Sequence, residues 1–114
     1  MKILIVDDSP SICMFLTHAL ETESHTVTAV GTGEEGVEHV ALSDKPDLII
    51  MDVELPGIDG FEATRQIRKN EGDNWCPIVY LSSHTEEKLI ARGIDAGGDS
   101  YLSMRAAIAT LPNL

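Results

Sequence analysis

The sequence is poor in cysteine, in aromatic residues and in basic residues. Its 114 residues include two cysteines, 4% aromatic residues, and eight Lys and Arg against 19 Asp and Glu. Two thiols cannot build a disulfide framework, and Cys13 and Cys76 lack the spacing of metal ligands. We therefore interpret both as reduced, half-buried thiols of a cytoplasmic protein.

The charge balance and the short apolar runs exclude further classes. A net charge of −11 disfavours binding to nucleic acid or to an anionic membrane surface, because both are negatively charged. Lys2 leads directly into a short apolar run and then acids, so no signal peptide is expected. No run is long enough to span a bilayer. Length and 43% hydrophobic content suit one folded domain, 1–114.

The remaining pattern is an alternation of short apolar runs and helical segments. The predicted strands are Lys2–Asp7, Thr26–Val30, Asp47–Met51, Pro77–Leu81 and Ser100–Ser103. The first helix follows a Ser9-Pro10 start, and its apolar residues Ile12, Phe15, Leu16, Ala19 and Leu20 share one face. The fourth helix is predicted at about 85–96. Such alternation predicts a parallel sheet with right-handed crossovers and helices on both faces.

Three acids follow the two most apolar runs. Asp7 and Asp8 come after the first strand, and Asp52 comes after the third. The carboxyl ends of parallel strands meet at one edge of the sheet, where open α/β folds place ligands. Crowded carboxylates repel one another, so this cluster predicts a bound cation, for which the oxygen-seeking Mg²⁺ is suited.

Successive strand residues point in opposite directions, so Asp7 and Asp8 cannot both face such an ion in the same way. One is expected to bind it directly and the other through water. A carboxylate beside a divalent cation can act as a nucleophile towards a phosphoryl group. Ser82, at the end of the fourth strand, could then hydrogen-bond the phosphoryl oxygens.

Three segments carry a resemblance to a known family. The opening at 3–8, the block at 47–60 and the strand at 77–82 resemble the receiver domain of two-component response regulators, and the resemblance extends from residue 1 to about 103. It implies a flavodoxin-like (βα)₅ fold with five parallel strands in the order 2-1-3-4-5.

The resemblance also implies roles for single residues. Asp52 matches the phosphoacceptor, which also contacts the metal. Asp8 matches the direct Mg²⁺ ligand, Asp7 acts through water, and the backbone carbonyl of Glu54 completes the metal ligands. The family's switch residues correspond to Ser82 and Tyr101. Two positions that flank the phosphate and tune its lifetime hold Glu54 and His84.

The sequence departs from the family after the fifth strand. Receivers carry a Lys-Pro pair there, and this chain has Met104 and Arg105. A thioether cannot replace the cation, and Arg105 points elsewhere unless the backbone is rerouted. Because a cis bond before a residue other than proline costs about 2.5–4 kcal/mol, we predict a trans Met104–Arg105 bond and a displaced exit from the strand.

The segment 104–114 is also short for the last helix of a receiver. Ala107, Ile108 and Leu111 are its candidates to cover the first helix. The chain is therefore either a degenerate receiver or altered at its end relative to a parent with an output domain. An under-covered apolar face would favour a homodimer or exchange of terminal elements between chains.

Two functions remain open at the level of sequence. The first is a signalling switch that takes a phosphoryl group from a sensor histidine kinase or phosphotransfer protein. It is a regulatory domain that catalyses at most its own phosphorylation and dephosphorylation. The alternative is a degenerate receiver that binds proteins independently of phosphate. A phosphatase of the aspartyl-phosphate type lacks its Asp-x-Asp spacing, and a flavin would meet an acidic first loop.

Overall fold

A parallel five-stranded sheet forms the centre of the protein. The computed structural model describes residues 1–42, 45–72, 75–104 and 106. The strands are β1 (Lys2–Val6), β2 (Thr26–Val30), β3 (Leu48–Asp52), β4 (Ile78–Ser82) and β5 (Ser100–Ser103). The helices in the described ranges are α1 (Pro10–Thr22), α2 (Gly33–Leu42), α3 (Gly60–Asn70) and α4 (Glu87–Asp95). The strand order is β2-β1-β3-β4-β5, which confirms the predicted flavodoxin-like topology.

Alternating side chains of the central strands build a core on each face of the sheet. On one face, Leu4, Ile49 and Met51 pack with buried residues of α2 and α3. On the other face, Ile3, Ile5 and Ile50 pack with Leu16 and Leu20 of α1. Both faces of β1 and β3 are therefore buried, as their continuous apolar sequence predicts.

The helix starts follow the capping signals in the sequence. The Ser9 hydroxyl accepts the Ile12 N–H ahead of α1, with Pro10 as the first helical residue. The Asp59 carboxylate likewise accepts the Glu62 N–H at 2.8 Å ahead of α3. These caps set where each helix leaves the carboxyl edge of the sheet.

The strand bounds agree with the predicted ones to within one residue, and three further details differ from the sequence expectations. Phe15 was predicted to face inward but is 46% exposed, because Leu16 and Leu20 occupy the buried face of α1. Cys76 is buried rather than half-buried, and its thiol donates to the Pro46 carbonyl. α4 begins at Glu87, two residues later than predicted, and the residue before it, Glu86, has an extended backbone conformation.

Some predictions fall outside the described residues. The Met104–Arg105 peptide bond and the tail residues Ala107, Ile108 and Leu111 belong to this group. The proposed cover of α1, and the dimer that would follow from its absence, therefore stay predictions. No helix in the described ranges combines the length and apolar character needed to cross a membrane.

Candidate functional site

The carboxyl edge of the sheet gathers the three acids that the sequence singles out. Val6 pairs with Met51, so the residues that follow β1 lie beside Asp52 at the end of β3. One carboxylate oxygen from each of Asp7, Asp8 and Asp52 lies within 4.8 Å of the others. The predicted cluster is therefore present in the fold.

Burial and mutual repulsion make ionisation costly for two of the acids. Burial and the charges of Asp7 and Asp8 raise the pKa of Asp52 to about 7. The pKa of Asp7 is also raised, first by burial and then by the charge of Asp8. The Ser9 N–H donates to Asp7 at 2.9 Å and opposes part of that rise. Such a cluster ionises readily only when positive charge is brought to it.

Glycine lets α3 begin directly beside Asp52. A β-carbon on Gly60 would overlap the backbone carbonyl of Asp52, and the Gly60 N–H donates to the Val53 carbonyl at 2.9 Å. Gly57, with φ of 73°, turns the preceding loop through the left-handed region that glycine favours. This tight return keeps the segment after Asp52 at the site, and the Glu54 N–H points to Asp52 Oδ1 at 3.4 Å.

Ser82 lies on the neighbouring strand as the sequence predicts. Asp52 pairs with Leu81, so Ser82 is one residue beyond the level of Asp52 and ends β4. It is 4% exposed, and its hydroxyl oxygen accepts the His84 N–H at 3.0 Å.

Tyr101 and His84 are in contact with each other, outside the walls of the acidic cleft. The Tyr101 hydroxyl donates to the His84 carbonyl at 2.6 Å. The ring of Tyr101 lies 5.8 Å from the buried ring of Tyr80. His84 Nε2 lies 2.8 Å from Glu54 Oε1, so the two positions expected to flank a phosphate touch one another.

An open cleft of about 320 Å³ lies over the acids. Its described lining residues are Asp7, Asp8, Ser9, Ile12, Asp52, Glu54, Ser82, Ser83 and Met104. No Lys or Arg occurs among these described lining residues, and Met104 contributes a thioether. The described lining of the cleft therefore holds acidic side chains and no basic side chain to balance them.

The donor set fits a hard divalent cation. Three carboxylates offer oxygen ligands at mutual distances that one ion can bridge, and their charges disfavour one another without it. A thiol or imidazole ligand, which softer metals prefer, does not belong to this described set. Mg²⁺ is therefore chemically suited to the site.

Sequence reasoning missed two features around the site. The hydroxyl of the buried Tyr80 donates to the Gly93 carbonyl at 2.9 Å, and its ring packs edge-on against Phe61 at 5.3 Å. The sequence signal for the buried position of Tyr80 was the presence of glycine at 93 and 98. A β-carbon on Gly93 or Gly98 would collide with the Tyr80 ring. The joint contact of His84 with Glu54 and Tyr101 had no signal in the sequence.

The fold and the site define an open α/β domain with an acidic centre at the carboxyl edge of its sheet. The family model for the response regulator receiver domain matches residues 3–113 of the sequence. The chain belongs to this family, and it is thus a receiver domain of two-component signalling, a regulatory rather than a catalytic class. Receiver domains of this class interact with histidine kinases and output domains.

Two relatives illustrate the range of proteins that contain this domain. Protein PilH of Pseudomonas aeruginosa is 37% identical over 102 residues, which cover 90% of this chain and 84% of PilH. The transcriptional activator ExaE of Pseudomonas putida is 39% identical over 113 residues, 97% of this chain. The chain spans 51% of ExaE, so it corresponds to about half of that activator.

Solved receiver structures share this fold. The chemotaxis protein CheY4 of Vibrio cholerae superimposes with a TM-score of 0.85 at 28% identity, covering 96% of this chain and 94% of CheY4. A two-component response regulator from Clostridium difficile gives 0.83 at 29% identity, covering 98% and 94%. The fold is therefore that of CheY-like receivers.

Proposed function

We propose that Asp52 accepts a phosphoryl group from a histidine kinase or phosphotransfer protein in a site that also binds Mg²⁺. Asp8 and Asp52 would hold the ion directly, Asp7 through water, and Glu54 through its backbone carbonyl. The observation that carries the proposal is the convergence of three carboxylates at one strand edge, with burial and repulsion raising the pKa of Asp52 to about 7.

In the proposed reaction an Asp52 carboxylate oxygen attacks the phosphorus of the donor. The bond from phosphorus to the donor nitrogen breaks, the imidazole leaves with a proton from solvent, and an acyl phosphate remains on Asp52. Bound Mg²⁺ supplies positive charge that offsets the carboxylates and the incoming phosphoryl oxygens. Ionised Asp52 is the nucleophile, so charge compensation favours the reactive form.

The Ser82 hydroxyl can donate a hydrogen bond to the phosphoryl group. Its oxygen accepts the His84 N–H, which uses a lone pair and leaves the hydroxyl hydrogen to donate to a phosphoryl oxygen. In the proposal Ser82 and Tyr101 are the switch residues, and Tyr101 changes rotamer when Ser82 is engaged. Glu54 and His84 flank the phosphoryl group and tune its lifetime.

The proposal extends to partners and compartment. A sensor histidine kinase is the donor, and the output lies either in a further domain or in a separate partner, with a homodimer as a third route. The transcriptional relatives, of which this chain spans about half or less, support the first route. The free thiols of Cys13 and Cys76 accord with the cytoplasm.

Acetyl phosphate provides a direct test. We expect wild-type protein with Mg²⁺ to gain the mass of one phosphoryl group, Asp52→Asn to gain none, and Asp8→Asn to gain it at least tenfold more slowly. The exposed-site variant Glu38→Gln serves as the control and should label like wild type. Equal labelling of wild type and Asp52→Asn, read by intact mass spectrometry, would show that the site is assigned wrongly.

A second function is favoured by one observation, the thioether of Met104 in the cleft. In this alternative the domain binds a protein partner and no longer switches with phosphate. It then binds Mg²⁺, yet phosphoryl mimics cause no change around Ser82 and Tyr101. The first function requires such a change, so the surroundings of Tyr101 discriminate between the two.

A further inference from the structure

One loop residue between β4 and α4 makes three contacts of different kinds. His84 Nε2 lies 2.8 Å from a carboxylate oxygen of Glu54, within the distance of an ion pair. The His84 backbone N–H donates to Ser82 at 3.0 Å, and its carbonyl accepts from Tyr101 at 2.6 Å. His84 thus joins a residue of the cleft wall to both proposed switch residues.

These contacts continue to Asp52, which also lines the cleft. The Glu54 N–H points to Asp52 Oδ1 at 3.4 Å, and Glu54 is the residue whose side chain meets His84. A series of contacts therefore runs from Asp52 through Glu54 and His84 to Tyr101. Met104, which also lines the cleft, has a thioether that carries no charge and donates no hydrogen bond.

We propose that His84 is a positioning residue that couples the acidic cleft to Tyr101, holding Glu54 with its side chain and Tyr101 with its backbone carbonyl. The proposal rests on the proposed function, in which the cleft receives a phosphoryl group. It assigns to the Glu54–His84 contact the link between the cleft and Tyr101.

The coupling follows from how His84 is held. Ser82 is buried at the end of β4, whereas the His84 side chain is 50% exposed and Glu54 is 70% exposed. A change in the cleft that draws the Glu54 carboxylate away releases the imidazole, and the peptide that carries the Tyr101 acceptor can then turn. An exposed pair of this kind supports a bias of about two- to fivefold, so His84 weights the Tyr101 positions rather than locking one.

The chain contains two tyrosines, which makes Tyr101 directly observable. Protein labelled with 3-fluorotyrosine should give two fluorine NMR signals, assigned with Tyr101→Phe. The buried Tyr80 ring serves as an internal check that the core is intact. Spectra are recorded without ligand, with Mg²⁺ alone, and with Mg²⁺ and beryllofluoride, a mimic of the phosphoryl group.

Glu86 supplies the matched control. Its carboxylate lies 3.8 Å from His84 Nδ1, so Glu86→Gln removes a charge next to the same imidazole without touching the series of contacts. We expect Glu54→Gln and His84→Ala each to change the ratio of the Tyr101 positions in ligand-free protein about two- to fivefold, with Glu86→Gln like wild type. The double variant should match either single one, because both remove the same contact.

The ligand series separates this inference from the proposed function. With beryllofluoride, the Tyr101 signal should move in wild type and Glu86→Gln, and move by less than half as much in Glu54→Gln and His84→Ala. If Glu54→Gln and Glu86→Gln behave alike in the ligand-free and ligand-bound spectra, the coupling is refuted. If wild type and Asp52→Asn respond equally to beryllofluoride, the proposed function fails, and the ligand-free ratios still decide the role of His84.

Discussion

Acidic side chains have a basic partner at one edge of the sheet and lack one among the described lining residues at the other. At the amino edge of β4 and β5, Arg68 Nη1 lies 3.0 Å from the Glu71 carboxylate, and Nη2 lies 2.8 Å from that of Asp99. Arg68 also donates to the carbonyls of Cys76 and Gly97. At the carboxyl edge, three carboxylates crowd together and no described lining residue of the cleft is Lys or Arg.

The difference shows how charge compensation separates a structural cluster from a functional one. Arg68 is 16% exposed and satisfies two carboxylates and two carbonyls, so the amino edge contributes to stability. At the carboxyl edge, burial and the neighbouring acids instead raise the pKa of Asp52 to about 7, which is a cost to the folded state when Asp52 ionises. Perturbed pKa values of this kind cluster at functional sites, which agrees with the proposed cation site.

The largest expected effect comes from breaking the compensated edge. Arg68→Ala leaves Glu71, whose side chain is 8% exposed, without its partner, and it removes donors from two carbonyls. We expect the free energy of unfolding to fall by about 2–4 kcal/mol. The control is Arg65→Ala, because the Arg65–Glu62 pair is exposed and should contribute less than about 0.5 kcal/mol. Similar losses in urea titrations of the two variants would contradict the comparison.

Removing one charge from the acidic cluster at the carboxyl edge should raise the free energy of unfolding. Without divalent cations at about pH 8, Asp52→Asn is expected to stabilise the protein by about 1–2 kcal/mol, after discounting for solvent screening. Thermal or urea unfolding measures the change, and the exposed-site variant Glu38→Gln should leave stability nearly unchanged.

The pH dependence of this effect follows from the direction of the shift. The folded pKa of Asp52, about 7, lies above the ordinary 3.8, so the folded state binds more protons between these values. The contribution of protonated Asp52 to the free energy of unfolding is therefore fully present below about pH 4, and it is lost as the pH rises through about 7. A gain in Asp52→Asn that is as large at pH 4 as at pH 8 would contradict this account.

A smaller effect is expected from adding a cation to the cleft. Met104→Lys places a positive charge among the lining residues and should raise stability without Mg²⁺ by about 0.5–1 kcal/mol at neutral pH. Met14→Lys, at a methionine that is 73% exposed on α1, is the matched control and should give no gain. Equal shifts in the two melting temperatures would mean that the cleft acids do not respond to local charge.

The sequence predicted the sheet and the acid cluster for physical reasons that act locally. Continuous apolar runs identify doubly buried strands, and strand ends define one edge, so the proximity of Asp52 to Asp7 followed. The exposure of Phe15 was not predictable, because helical spacing does not say how wide the buried face is. The contact of Arg68 with Asp99, and those of His84 with Glu54 and Tyr101, were not predicted. Their partners come from distant segments or are backbone groups, which leave no periodic signal.

Calorimetric titration with Mg²⁺ tests most directly whether the three carboxylates at the carboxyl edge form a cation site. We expect one ion to bind wild-type protein, and the affinity to fall at least tenfold in Asp8→Asn while Glu38→Gln binds as wild type does. Wild type and Asp8→Asn binding Mg²⁺ equally well would contradict the account, because the three carboxylates would then not form the cation site.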